Sequence, residues 1–408
     1  MGPIKARKPF RAALRKEPRH KCSPQYPLSL SAERSETAHT SSDLNSGGIP
    51  MSYATFGVND TNAVKTWAKF LAKAERDSLD IAPLMGDDDN AIIHVKTETE
   101  KGSGDKVTFN LRARPTGAGF TEGETAEGNA EALSFFADAL YINEQGHNMG
   151  AASENTIDAQ RVPFDLRQQC KNALAEWWSD RKSVSFFNQV CGYTPQSDTK
   201  YTGMNAVTAP AAGSGFTRQI WAGSATTDQG LTSSDTFVIG LVDKAVEAAR
   251  SGSAKLRPVM VAGQKKYVQY LSEGQVVQVR TASTAGEWKD INNFAYSGVN
   301  VKENPIYSGA LGEYNGVILR RSQDATRGVH SSSGASVSTV RRSVLLGAQG
   351  ATMAFGTKHQ NGKYRWNEEL KDHKRKLECS AWSIWGLKKP VFNGTDYGVV
   401  VVSTYSAT

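Results

Sequence analysis

SGVNVKENPIYSGALGEYNGVIL, running from Ser297 to Leu319, sets an X-Pro dipeptide and three spaced glycines between two apolar, strand-like runs. Asn304 precedes Pro305, so its backbone is expected to be extended. Gly309, Gly312 and Gly316 admit turns, or an approach of another backbone that a β-carbon would resist. The spacing prescribes a shape and carries no catalytic side chain of its own.

Around this stretch lies a chain of 408 residues, 39% of them hydrophobic, which is enough for a substantial core in one or two domains. No run approaches the roughly 18 consecutive apolar residues of a membrane span. No charged start leads into an apolar signal-peptide core, so no membrane partner is expected. Cys22, Cys170, Cys191 and Cys379 are scattered without a CxxC pair, which predicts free thiols in a reducing compartment. The sequons at Asn59 and Asn393 then carry no meaning.

The net charge of +7 is concentrated at the front: residues 1–50 hold nine Lys or Arg against four acids. That segment is Ser-, Pro- and Arg-rich without apolar periodicity and is expected to be disordered. It reads as an upstream stretch translated from a misassigned start, with Met51 opening the ordinary sequence. A basic arm on nucleic acid and a transit peptide are the alternatives.

Further along, Val64 to Asp77 places Val64, Trp67, Phe70, Leu71 and Ala74 at helical spacing. Gly86 to Asn90 breaks the pattern; its three Asp residues do not match a calcium loop and predict a solvated turn. Ile92–Val95 and Val107–Leu111 read as strands joined by the Gly102–Asp105 turn. Arg112 to Ala130 is too polar to bury, an excursion away from any core, before apolar residues resume over Leu133–Ile142. A long helix is predicted from about Pro163 to Val190, about 40 Å at 1.5 Å per residue. Its stripe runs through Leu166, Cys170, Ala173 and Trp177 and resumes at Val184, Phe187 and Cys191, and Gly192 stops it. Leu166, Trp177 and Phe187 are its expected core contacts.

Residues 193–235 read as loop or irregular strand with little core, and Phe237, Leu241, Ala245 and Ala249 as a helical stripe. Arg257–Val261 predicts a short buried strand, Gln264–Leu271 a further helix and Ser343–Phe355 a buried helix. His330–Thr339 is expected to be an exposed loop, Lys371–Lys376 a solvated turn, and Val399–Val402 a strand buried on both faces.

Catalytic patterns appear only as near misses. GTKHQNGK, Gly356 to Lys363, is one residue too long for a phosphate-binding loop and continues with Tyr364 in place of Ser or Thr. Gly102-Ser103-Gly104 and Gly117-Ala118-Gly119 lack a third glycine. There is no GxSxG or HExxH, and the seven histidines are dispersed. No catalytic residue, cofactor or metal is expected.

Several strings resemble the N4-like family of tailed-bacteriophage major capsid proteins. They are SGVNVKENPIYSGALGEYNGVIL, VKTETEKGSGDKVTFNL, EGNAEALSFFADALYIN, RVPFDLRQQCKNALAEWWSDR and KKPVFNGTDYGVVVVSTY, within residues 90–405. The resemblance implies an α+β, HK97-like phage capsid fold with N-terminal arm, extended β-hairpin loop, long spine helix, and peripheral and axial (central α/β) domains. It divides the chain into a basic extension (1–50), arm and helix (51–90), extended loop (91–150), spine and peripheral domain (151–235), central domain (236–340), and a peripheral return with closing strand (341–408). It implies a subunit that self-assembles into pentamers and hexamers of an icosahedral shell around double-stranded DNA. Portal and scaffolding or decoration proteins are implied partners, DNA being contacted non-specifically, with assembly in the bacterial host cytoplasm. In such shells the extended loop lies across a neighbour, which makes Arg112, Arg114, Phe120, Glu122, Glu124 and Glu127 candidate inter-subunit contacts. The competing reading is an oligomeric α/β enzyme whose site is built from scattered residues.

Overall fold

Asp165 opens the longest helix: its carboxylate accepts hydrogen bonds from the Arg167 and Gln168 amides, at 2.8 and 3.3 Å. Helix α3 then runs Leu166–Val190. It ends where Gly192 takes φ +64, with Gly192 N–H on Gln189 O and Tyr193 N–H on Asn188 O. The other helices are α1 (Thr61–Ser78), α2 (Ile157–Arg161), α4 (Gly240–Arg250) and α5 (Glu273–Thr281). The computed structural model describes residues 61–96, 104–112, 115, 117–125, 127–128, 130–152, 156–163, 165–213, 215–251, 254–261, 263–281, 310–356 and 363–407. The expectations for residues 1–50, Asn304, Gly309 and Arg114, and for most of GTKHQNGK, lie outside these residues.

Two large sheets form the body. The first has the order Met85–Gly86, Ile93–Lys96, Ala351–Phe355, Lys376–Lys388, Arg365–Lys371, and Asn143–Ala152 also pairs with Lys376–Lys388. One face packs α1 and α3 through Leu377, Cys379, Ala381, Trp385 and Leu387. The second sheet runs Gln219–Trp221, Val399–Tyr405, Ser336–Leu346, Gln264–Ser272, Val317–Ser322, Ala310–Tyr314. It is a wall between two cores. Val268, Tyr270, Val344 and Leu346 face α3, while Tyr267, Leu271, Leu345, Val400 and Val402 face α4 and α5. The end of the opening stretch forms a hairpin on this sheet, Ala310–Tyr314 with Val317–Ser322, turned by Asn315 (φ 47) and Gly316 (φ 73).

Several expectations are corrected. Gln264–Leu271 is a strand, as are both apolar halves of Ser343–Phe355, namely Ser336–Leu346 and Ala351–Phe355. Among the described residues Val259–Val261 pairs only with Gln264–Ser272, and Met260 and Val261 are exposed, so the strand predicted to be buried lies at an edge. The predicted loop His330–Thr339 becomes strand from Ser336. Ile93–Lys96 and Lys106–Arg112 do not pair; they belong to different sheets. Phe70 faces outward on α1. Residues 86–90 do form a turn, but Asn90 pins it, exchanging two hydrogen bonds with the Met260 backbone at 2.7 and 3.0 Å.

The phase of α3 also shifts. Cys170, Leu174, Trp178, Lys182, Phe186 and Val190 form one buried row stepping by four, flanked by fully buried Phe187. Leu166 and Trp177 sit at the edge, half-buried. Lys182 occupies an apolar row because its ammonium meets Glu75 Oε1 at 3.0 Å and Tyr364 Oη at 2.7 Å.

Candidate inter-subunit surface

Lys106–Arg112 and Phe135–Tyr141 pair antiparallel from Lys106↔Tyr141 to Arg112↔Phe135. Their alternation makes one face partly apolar, so Val107 and Leu140 are buried against Ile142 and Ala354 at the base, with Phe109 and Ile384 packed beside them. Polar contacts fix the same end. The Asn205 side chain accepts from Tyr141 N–H and donates to Tyr141 O, both at 2.9 Å. Lys388 pairs with Asp138, whose other oxygen accepts from Val391 N–H at 3.0 Å, and Phe109 meets Phe392 edge to face at 5.8 Å. Gly386 lets the backbones touch, since a β-carbon there would fall 2.2 Å from Tyr141 O.

The far end has no such support. All described residues from Pro115 to Phe135 are exposed, and before Phe135 none lies in a helix or strand. Its internal bonds are local, such as Thr121 N–H to Glu124 Oε2 at 2.9 Å and Gly117 N–H to Glu131 Oε2 at 2.9 Å. Phe120, Leu133 and Phe135 leave 52%, 64% and 61% of their surface in water. Three large apolar groups are thus exposed on one projection. Arg112, Glu122, Glu124 and Glu127 are spread along it, exposed. Sequence reasoning passed over Leu133 and Phe135 because they belong to a run of apolar residues; in the structure Phe135 pairs with Arg112 at the far end of the hairpin and Leu133 lies beyond it, outside any strand.

The buried ionic groups serve packing. The Asp228 carboxylate accepts from Gln219, Trp221, Val329 N–H and Arg342, and Arg342 also donates to the carbonyls of Cys191 and Gly192 at 3.0 Å, binding the negative end of α3. Arg218 donates to three backbone carbonyls, and burial lowers its pKa. Burial holds the thiols of Cys170, Cys191 and Cys379 above the ordinary cysteine value, so these free thiols are poor nucleophiles. No helix among the described residues is long and apolar enough to cross a membrane.

Residues 55–408 match the family described as "Phage capsid protein". No curated protein matches the chain. Among solved structures, the capsid of Ralstonia phage GP4 aligns with a TM-score of 0.67 and 26% identity, over 90% of this chain and 98% of that one. The capsid of Cyanophage Pam1 aligns at 0.62 and 19% identity, covering 80% and 92%. The head of Helicobacter pylori bacteriophage KHP40 aligns at 0.53 and 15%, covering 79% and 89%.

Proposed function

We propose, from the premise that the chain belongs to the phage capsid protein family, that it is the major building block of a closed icosahedral head enclosing double-stranded DNA. Its fold is the HK97-like phage capsid fold, α+β, and it is a virion structural protein. The finer assignments are ours: membership of the N4-like subfamily, supported by the five strings quoted above; pentamers and hexamers as capsomers; portal, scaffolding or decoration proteins and DNA as partners; assembly in the host cytoplasm; and a purely structural, non-enzymatic role. In the same reading α1 belongs to the arm, residues 91–150 to the extended loop, α3 to the spine, and α4 and α5 to the central domain.

One observation carries the reading: the hairpin is anchored at its base and bare at its end. A subunit that folded for itself alone would have no use for an exposed projection carrying Phe120, Leu133 and Phe135. Laid on a neighbour, the projection buries those apolar side chains and sets Arg112, Arg114, Glu122, Glu124 and Glu127 against the other subunit, where charge fixes register more than it adds affinity.

Replacing Ala113–Gly128 with a short Asn-Gly turn tests this. The expected protein is folded, with unchanged far-ultraviolet dichroism, and forms no closed particles on sedimentation or in negative-stain images. Normal shells from that variant would overturn the assembly role of the tract. A chain starting at Met51 is expected to form shells, since the family match begins at residue 55.

A further inference from the structure

α1 carries exposed cations and an exposed aromatic ring, and the adjoining turn of α3 adds a further cation. Lys171 is 9% exposed, and its ammonium lies over the rings of Trp67 and Phe70, at 5.6 and 5.4 Å from their centroids. No ion pair involves Lys171 among the described residues, whereas its neighbour Arg167 is held by both oxygens of Glu368 at 2.9 and 2.7 Å. Lys69 and Lys73 stand exposed one turn apart on α1, and Phe70 leaves 52% of its surface in water. A ring beneath one almost buried ammonium, on a helix with two exposed lysines, suits an acidic segment that also brings an apolar side chain.

The chain itself contains such a segment. Ala113 to Leu133 holds Glu122, Glu124, Glu127 and Glu131 against Arg114 alone, and carries Phe120. Phe120 and Phe70 are both exposed in the single subunit, and a contact between these two different surfaces on separate copies is head-to-tail. We propose that the α1–α3 seam receives the acidic tract of a neighbouring copy, with Glu122, Glu124 and Glu127 against Lys69, Lys73 and Lys171 and the Phe120 ring against Phe70. This rests on the reading that the tract lies on a neighbour.

The test is a charge exchange. Lys69→Glu/Lys73→Glu and Glu122→Lys/Glu124→Lys each alter exposed residues, so each protein should fold, as judged by far-ultraviolet dichroism, and lose closed particles on sedimentation. The variant carrying all four changes should regain them. Normal assembly of the α1 pair overturns the seam. Loss in both pairs without recovery overturns it too, and if nucleic acid copurifying with the particles falls with the α1 pair alone, those lysines serve phosphate. Should the reversal be insoluble, Lys69→Gln/Lys73→Gln should dissociate at lower salt than the parent shells, and an unchanged salt midpoint overturns the proposal. Intact shells after replacement of Ala113–Gly128 would instead sink the underlying reading.

Discussion

The indole of Trp382 lies flat on the backbone of Gly146: a β-carbon built on that glycine would sit 2.3 Å from Cδ2 and 2.4 Å from Cε3 of the ring. The two residues are directly paired across the strands Asn143–Ala152 and Lys376–Lys388. The ring covers a gap in the sheet that a side chain would otherwise fill. Gly146→Val should therefore force the ring away and cost roughly 1–3 kcal/mol, the usual penalty of overpacking. Thermal unfolding of the purified subunit measures it; a melting temperature equal to the parent's would mean the ring swings aside freely.

Adjacent tryptophans on α3 should behave differently. Trp178 is fully buried among Trp177, Tyr364 and Trp385, so Trp178→Ala should cost about 3–5 kcal/mol. Trp177 is half-buried, stacked on His147 at 4.7 Å and under Arg181 at 5.0 Å, and its replacement by Ala should cost clearly less. Denaturant midpoints of the two variants would rank them, and the reverse order would contradict the phase of the helix.

Lys389 and Asp396 form a pair closed off from water, 2.8 Å apart. Burial raises the Asp396 carboxyl and lowers the Lys389 ammonium, each partly opposed by the other's charge. Removing one partner strands a buried charge, so Lys389→Met or Asp396→Leu alone should cost about 3–5 kcal/mol. The double variant should be markedly less destabilised than the sum. Equilibrium unfolding of the three proteins closes the cycle, and additive costs would show that the pair is not coupled.

Asp324 provides a pH dependence of known sign. Burial, then the nearby Asp180 and Asp80, raise its pKa, against a hydrogen bond from Ser183. Because the folded value exceeds the unfolded one, its contribution is complete below about pH 3.9, the ordinary carboxylate value, and is lost as pH rises through the raised value. Asp324→Asn keeps an acceptor for Ser183 and removes the charge. It should raise the melting temperature at neutral pH and leave that at strongly acid pH nearly unchanged; a fall at neutral pH would reverse the sign.

Much of the fold could be read before any coordinates. Of the helix stripe Phe237, Leu241, Ala245 and Ala249 all four are buried, although Phe237 precedes the helix, which starts at Gly240, and Val399–Val402 is buried on both faces. The polar composition of residues 112–130 foretold an excursion with no core. The misread elements share a cause. Tyr267, Val268, Tyr270 and Leu271 match helical spacing only because the strand is buried on both sides, odd residues facing one core and even residues the other. Val344, Leu345 and Leu346 were hidden the same way. On α3, buried Lys182 and Ser183 interrupt the apolar row and leave neighbouring Trp177 and Trp178 to compete for its phase. The seam proposed to receive a neighbour had no local signal, because Lys171 joins Trp67 and Phe70 from a different helix.

The wall between the two cores also has a mechanical consequence. Val340–Leu346 runs antiparallel to Val399–Tyr405 in seven successive pairs, from Val340↔Tyr405 to Leu346↔Val399, without a break in register. Tension applied along those strands loads the rungs of this ladder in shear, so they must fail together, whereas a pull across the sheet would open them one at a time. Arg342 and Ser343 lie within the ladder, and Arg342 is bonded to the end of α3. A force arriving through the long helix thus enters the sheet at Arg342, inside the ladder, where seven rungs share it.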